Sequence, residues 1–100
     1  MYRRNKSTSQ PDKIFKYFQL WEVCGRWISK GGMPDVCIYN TGKHHYRIKF
    51  SYPDVAYNCQ LRQYWGATSF YLYGHEGVTY DAERDMLSLS SYGDYFRAED

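Results

Sequence analysis

The chain has 100 residues, a formal net charge of +2 and 20% aromatic residues, and 12 of these are tyrosines. This length fits one domain with a real core, and the aromatic content excludes a disordered chain. The small net charge names no partner. The first 12 residues are polar and are interpreted as a flexible lead. Residues 13–100 are then expected to form a single β-barrel domain.

A short helix is predicted over residues 13–22, because Asp12 can cap a first turn there. Four apolar side chains recur within it at helical spacing: Ile14, Phe15, Phe18 and Trp21. We expect them to pack on the core, and we expect no role in a membrane.

From Gly25 onward the hydrophobic residues recur with a period of two, which indicates strands. The clearest case is Tyr46 to Phe50, where the charged residues Arg47 and Lys49 alternate with Tyr46, Ile48 and Phe50. Val55 is expected to share the inner face of the following strand. Turn signals such as Asn40 to Lys43 separate the runs. About eight short strands with short connections predict an all-β, antiparallel up-and-down barrel. An open sheet packed on the helix is the alternative.

The cysteines give no sign of a disulfide framework, because three of them, Cys24, Cys37 and Cys59, lack any C-x-x-C spacing. The first dozen residues hold no apolar run typical of a signal peptide. No stretch approaches the ~20 apolar residues of a membrane span. We therefore expect a cytoplasmic protein with free thiols, and a buried, inert Cys59.

Seven large side chains are expected to point into the barrel and are the candidate lining of a small apolar ligand: Tyr46, Phe50, Tyr57, Phe70, Leu72, Tyr80 and Leu87. Barrels of about eight strands are either filled or hold one small molecule. Rings of this size favour a filled barrel. The alternation of inward and outward residues is the same in a hollow barrel, so both alternatives stay open.

A basic outer face is the second candidate site. Arg47, Lys49 and Arg62 are expected on the outside of neighbouring strands, with outward tyrosines between them: Tyr39, Tyr71 and Tyr73. Positive charge interleaved with rings is how single-stranded nucleic acids are gripped. No recognised nucleic-acid motif accompanies it.

Catalytic and metal chemistry find little support. His44 and His45 are adjacent, so in a strand they point to opposite faces, and no Cys or His pair has the spacing of a zinc site. Three carboxylates, Asp81, Glu83 and Asp85, fall in one hairpin loop, where a solvated turn is the simpler explanation. We predict no enzyme activity, no catalytic residue, no metal and no cofactor.

Gly25-Arg26-Trp27 follows the predicted helix and opens the first strand. It resembles the G-x-W motif of lipocalins and fatty-acid-binding proteins. In lipocalins an arginine near the end of the last strand lies across that tryptophan. The resemblance implies that Trp27 plugs one end of the barrel and that Arg97 is its partner.

A closer resemblance covers residues 20–98 and rests on further segments: Pro34 to Tyr39, Gly42-Lys43, Tyr80-Asp81-Ala82, Asp85-Met86-Leu87 and Gly93 to Arg97. Together they are similar to a domain-of-unknown-function family of short proteins from anaerobic gut bacteria, often encoded on conjugative transposons. It implies a lipocalin-like barrel and brings no catalytic residues.

The function expected from the sequence is a non-enzymatic accessory binding or interaction protein of a mobile genetic element. The partner is unknown, and a protein partner, self-association or a small ligand are all possible. The alternatives are a carrier of a small apolar ligand and a binder of single-stranded nucleic acid.

Overall fold

Eight antiparallel strands follow one another in the computed structural model, which describes residues 18–98. The strands are β1 (Gly25–Ser29), β2 (Asp35–Gly42), β3 (His45–Ser51), β4 (Ala56–Tyr64), β5 (Ala67–Tyr71), β6 (His75–Asp81), β7 (Met86–Leu89) and β8 (Gly93–Arg97). Each strand pairs with the next, and β8 pairs with β1, so the sheet closes into a barrel. The predicted up-and-down barrel is confirmed. The expected flexible lead lies outside the described residues.

Closure of the barrel depends on the pairing of its first and last strands. Trp27 lies opposite Arg97, and Ser29 lies opposite Tyr95. This pairing satisfies the backbone groups of two strands that would otherwise be open edges. The predicted alternative of an open sheet is therefore wrong.

The barrel interior is built by the two-residue alternation of the strands. In β3 the side chains of Ile48 and Phe50 are fully buried, whereas Arg47 and Lys49 face outward. Large buried side chains from other strands complete this core: Trp27, Val36, Ile38, Phe70, Leu87, Leu89 and Tyr95. Val55 departs from the pattern, because it lies before β4 and is 47% exposed.

The chain enters the barrel through one turn of 3-10 helix, Leu20–Val23, in place of the longer helix predicted. Glu22 accepts a hydrogen bond from the backbone N–H of Gln19 at 2.9 Å, which fixes where this turn begins. A 3-10 helix has three residues per turn, so Leu20 and Val23 share its inner side. Trp21 then points outward and is 66% exposed, which corrects the expectation that it packs on the core. Residues 13–17 of the predicted helix lie outside the described residues.

The β2–β3 hairpin turns later than predicted. Strand β2 continues to Gly42, and the turn is made by Lys43 and His44, which has a φ of 62°. The Asn40 side chain supports this geometry by donating to the carbonyl oxygens of Gly42, at 2.7 Å, and His45, at 2.9 Å. The two histidines are therefore not neighbours within a strand, because only His45 belongs to β3.

The two ends of the barrel differ in character. Trp27 and Val23 fill one end, and Phe18 packs beside them. The opposite end carries half-buried tyrosines, among them Tyr52 and Tyr92. Between residues 18 and 98 no helix has the length and apolar character needed to cross a membrane.

Candidate functional site

The three basic residues of the predicted nucleic-acid face lie on the outer side of β3 and β4. Arg47 lies opposite Gln60, and Lys49 lies opposite Asn58. Arg62 follows Gln60 by two positions in β4, and side chains two positions apart share a face of a strand. The structure therefore brings these three residues together on neighbouring strands.

A groove of about 650 Å³ crosses this outer surface between β3 and β6. Its polar and aromatic walls come from four strands: Arg47, Asn58, Gln60, Arg62, Tyr64, Ser69, Tyr71 and His75. Tyr71 is 71% exposed and lies opposite His75 in the sheet. Among the described residues no carboxylate lines the groove. Its surface therefore combines guanidinium charge with an accessible aromatic ring.

A second groove, of about 370 Å³, continues the first toward the β4–β5 turn. The two share Tyr64, Ser69 and His75 as lining residues. Trp65 lines the second groove with its side chain fully exposed to solvent. The two grooves thus form one continuous outer path, from Arg47 on β3 to the exposed indole at the turn.

The exposure of Trp65 follows from the geometry of the tight β4–β5 turn. Trp65 and Gly66 form a two-residue loop, and both have positive φ, 55° and 81°. Two-residue hairpin loops of this kind match the twist of the strands. A positive φ is uncommon for a bulky residue, and a smaller one would form the turn more easily. The fully exposed Trp65 ring therefore neither eases the formation of this turn nor packs on the core.

Acidic residues lie on the other side of the barrel. Asp81, Glu83 and Asp85 are at the β6–β7 connection, and Asp94 is in β8. In a ring of eight strands, β7 and β8 stand opposite β3 and β4. Two of these acids have arginine partners, Asp85 with Arg97 and Asp81 with Arg84, and none of the four lines either groove.

At the plugged end, the Arg97 guanidinium carbon lies 4.4 Å from the centroid of the Trp27 ring. Arg97 also donates to the backbone carbonyl oxygens of Cys24, at 2.6 Å, and Glu22, at 2.9 Å. A Cβ at Gly25 would lie 2.9 Å from Arg97 Nη1, and the φ of Gly25 is 131°. Glycine is thus required at that corner both by its conformation and by the space the guanidinium occupies.

Asp85 completes this end of the barrel as the counter-ion of Arg97. Its carboxylate accepts from Arg97 Nε at 2.8 Å and from the Tyr80 hydroxyl at 2.7 Å. The hydrogen bond from Arg97 lowers the pKa of Asp85, and the hydroxyl of Tyr80 adds to this effect. Asp85 lies in the predicted loop with its side chain 44% exposed, and it also holds the arginine that covers Trp27, a role the sequence did not indicate.

The seven predicted ligand-lining residues all lie inside the barrel, where they pack against one another and the rest of the core. Phe50, Phe70 and Leu87 are buried, and the rings of Phe50 and Phe70 are 5.4 Å apart. The other four are half-buried around them: Tyr46, Tyr57, Leu72 and Tyr80. A ligand in this space would have to displace side chains already in contact.

The thiols and potential metal ligands of the described chain are dispersed. Cys24, Cys37 and Cys59 are free cysteines, and burial raises the pKa of the Cys59 thiol. Within residues 18–98 no three His, Cys, Asp or Glu side chains are grouped so that they could hold a metal ion.

One protein-family model matches residues 12–97, and its description reads "Domain of unknown function, B. Theta Gene description (DUF3876)". The chain belongs to the DUF3876 family. No curated protein and no solved structure matches it. The resemblance to lipocalins therefore remains one of local motif and barrel shape.

Sequence reasoning overlooked several side chains of this DUF3876 domain that line its outer path. Tyr64, Trp65 and His75 are absent from the predicted sites, yet all three line the connected grooves. The Trp65-Gly66 pair was the available signal, since a tryptophan beside glycine at a tight turn has little to pack against. The buried Glu76 had no such signal, because it stands at the start of a strand in a turn-like stretch.

Proposed function

We propose that this domain is a non-enzymatic binding module and that its outer β3–β5 face holds single-stranded nucleic acid. The observation that supports this most strongly is the continuous outer path from Arg47 to Trp65. It is lined by arginines and exposed rings, and none of the carboxylates within residues 18–98 lines it.

Charge on the path suits a phosphate backbone. Arg47 and Arg62 line the groove, and Lys49 is on the same outer face of β3. A guanidinium group can donate two hydrogen bonds to two oxygens of one phosphate, so it orients the nucleic-acid backbone as well as attracting it.

Accessible rings on the path suit unpaired bases. Tyr71, Tyr64 and Trp65 are exposed by 71%, 60% and 102% of their reference surfaces. Stacking on such rings contributes about 1–3 kcal/mol per base and tolerates any sequence. A duplex keeps its bases stacked inside, so these rings favour a single strand.

The packed interior gives the alternative of an apolar-ligand carrier less support than the outer face. Phe50 and Leu87, two of its proposed lining residues, have no exposed surface. The expected association with a mobile genetic element stays a prediction from the family resemblance.

The proposal is tested by fluorescence anisotropy with a labelled oligothymidine of about 15 nucleotides, near the largest site size of a single binding domain. Three phosphate contacts predict a slope of about −2 when the logarithm of the association constant is plotted against that of salt concentration. Arg62→Ala should weaken binding and reduce the magnitude of this slope by about 0.7. Trp65→Ala should weaken binding about tenfold with the slope unchanged.

Arg84→Ala is the matched control, because Arg84 is an exposed arginine in the β6–β7 connection, 3.8 Å from Asp81. This variant loses the same charge from the opposite side of the barrel and should bind like the parent. If Arg84→Ala and Arg62→Ala lose the same amount of oligonucleotide affinity, binding depends only on the net charge of the protein, and the proposed face is rejected. Absence of binding tighter than about 1 mM at low salt would reject the function itself.

A further inference from the structure

Four tyrosines surround the barrel end opposite Trp27, and we call Tyr52, Tyr57, Tyr73 and Tyr92 the tyrosine cluster. The rings of Tyr52 and Tyr57 are 5.6 Å apart at 84°, and those of Tyr57 and Tyr73 are 6.1 Å apart at 70°. In each of these pairs the edge of one ring packs toward the face of the other, so each pair leaves ring faces that its own contact does not cover.

A buried carboxylate lies beneath this cluster. Glu76 points inward from β6 and is only 7% exposed. One of its oxygens, Oε1, accepts from the backbone N–H of Ser91 at 2.9 Å. The described residues offer it no further hydrogen bond and no ion pair. A carboxylate with this burial ordinarily has a charged partner, since an unpaired charge inside a protein is costly.

Glu76 and the tyrosine cluster belong to one site. Ser91, which donates to Glu76, directly precedes Tyr92. Burial raises the pKa of Tyr92 to about 12, a hydrogen bond with Tyr52 adds to this, and the charge of Glu76 contributes further. Phe70 lies opposite Glu76 in the sheet and is buried beside it.

We propose that this end of the barrel binds a small organic cation, a substituted ammonium whose charge is matched by Glu76 and whose alkyl groups lie against the tyrosine rings. Tyrosine faces attract ammonium groups through their quadrupole, most strongly where water is excluded. The ammonium group supplies Glu76 with the charged partner that the described residues do not. A neutral apolar ligand would leave Glu76 unpaired, and an anion would be repelled by it.

The same observations disfavour a metal ion as the cation. Within the described chain Glu76 belongs to no group of three or more His, Cys, Asp or Glu side chains that could hold a metal ion, whereas hard divalent cations take several oxygen ligands. Phenol rings do little for a hydrated metal ion but provide the surface that an alkylated ammonium needs. This site is at a barrel end, separate from the outer face of the proposed nucleic-acid function.

The decisive test compares two probes of the same shape on the unaltered protein, followed by NMR chemical-shift titration. Choline carries a quaternary nitrogen, and 3,3-dimethylbutan-1-ol has a neutral carbon in its place. We expect choline to shift the signals of residues at this end and to bind at least about tenfold more tightly than the alcohol. Equal affinities, or no shifts with either probe, would overturn the proposal.

Two variants separate the role of Glu76 from net charge. Glu76→Gln keeps the shape of the side chain and should weaken choline binding by about tenfold or more. Glu83→Gln removes one negative charge from an exposed loop residue and should bind choline like the parent. Unchanged choline binding in Glu76→Gln would show that the Glu76 carboxylate does not contact the cation. Should this variant fail to fold, the comparison of the two probes on the parent still decides the proposal.

Discussion

Arg97 from the last strand lies across Trp27 from the first, with its guanidinium carbon 4.4 Å from the centroid of the tryptophan ring. The two residues also face each other in the β1–β8 pairing. One cross-strand pair thus closes the sheet and seals its end. Asp85 holds the guanidinium in place from the β6–β7 connection, so three separate parts of the chain converge on one tryptophan.

Trp27→Ala should lower the free energy of unfolding by about 3–5 kcal/mol, because a fully buried aromatic side chain leaves a cavity when it is truncated. It would also leave the Arg97 guanidinium without the ring it covers and the Val23 carbonyl oxygen without the indole donor at 2.9 Å. Urea denaturation followed by circular dichroism measures this change.

Trp21→Ala is the matched control for that experiment, since the Trp21 side chain is 66% exposed. Exposed substitutions of this kind usually change stability by no more than about 0.5 kcal/mol. A loss below about 1 kcal/mol in Trp27→Ala would show that Trp27 does not plug the barrel.

Asp85→Asn should destabilise the protein at neutral pH, and the difference from the parent should shrink in acid. The pKa of Asp85 is lowered in the folded state, so its charged form stabilises the fold above the ordinary pKa of 3.8. This stabilisation is lost as the pH falls through the lower pKa of the folded protein. Because the Asp85 side chain is 44% exposed, solvent screening limits the neutral-pH loss to about 1 kcal/mol.

Thermal denaturation across this acidic range checks the result, with Glu83→Gln as the control that should behave like the parent at every pH. A destabilisation by Asp85→Asn that stays constant down to pH values below 3.8 would mean that the ionised carboxylate is not what Arg97 requires.

Cys59 should react slowly with thiol reagents in the native state, because it is 7% exposed and burial raises its pKa. The thiolate is the reactive form, so both effects act in the same direction. A variant with Cys24→Ser and Cys37→Ser leaves only this thiol. Its labelling by a chromogenic disulfide should be slow in buffer and fast in urea.

A second variant, which keeps only the half-buried Cys37, provides the comparison. Cys37 should be labelled faster than Cys59 under native conditions. Labelling of the two thiols at the same rate would contradict the inward orientation of Cys59 in β4.

The barrel could be predicted from the sequence because apolar residues that face the core alternate with polar residues that face solvent along each strand. Ile48 and Phe50 are fully buried, while Arg47 and Lys49, which alternate with them, face outward. A period of two is a local property, and short connections then leave few topologies. The helix was predicted less well, since helical spacing alone could not show that Glu22 begins a single 3-10 turn.

The contacts at the sites could be predicted only in part, because they depend on residues distant in sequence. The resemblance to a known motif identified Arg97 as a partner for Trp27, but nothing near Asp85 indicates that it binds Arg97. Glu76 has a charged side chain, and residues of this type are rarely buried in proteins, so the sequence alone predicts an exposed position. Only the register of β6 between β5 and β7 shows that it points inward.

Pairing between β1 and β8 also has a consequence for the order in which the barrel forms during translation. Trp27 leaves the ribosome early, and Arg97, the residue opposite it, is among the last of the described residues to emerge. Until then β1 and the newest strand are bare edges that can recruit other chains. Any sheet that forms before that point has two unpaired edges, and they stay open to other chains until β8 pairs with β1.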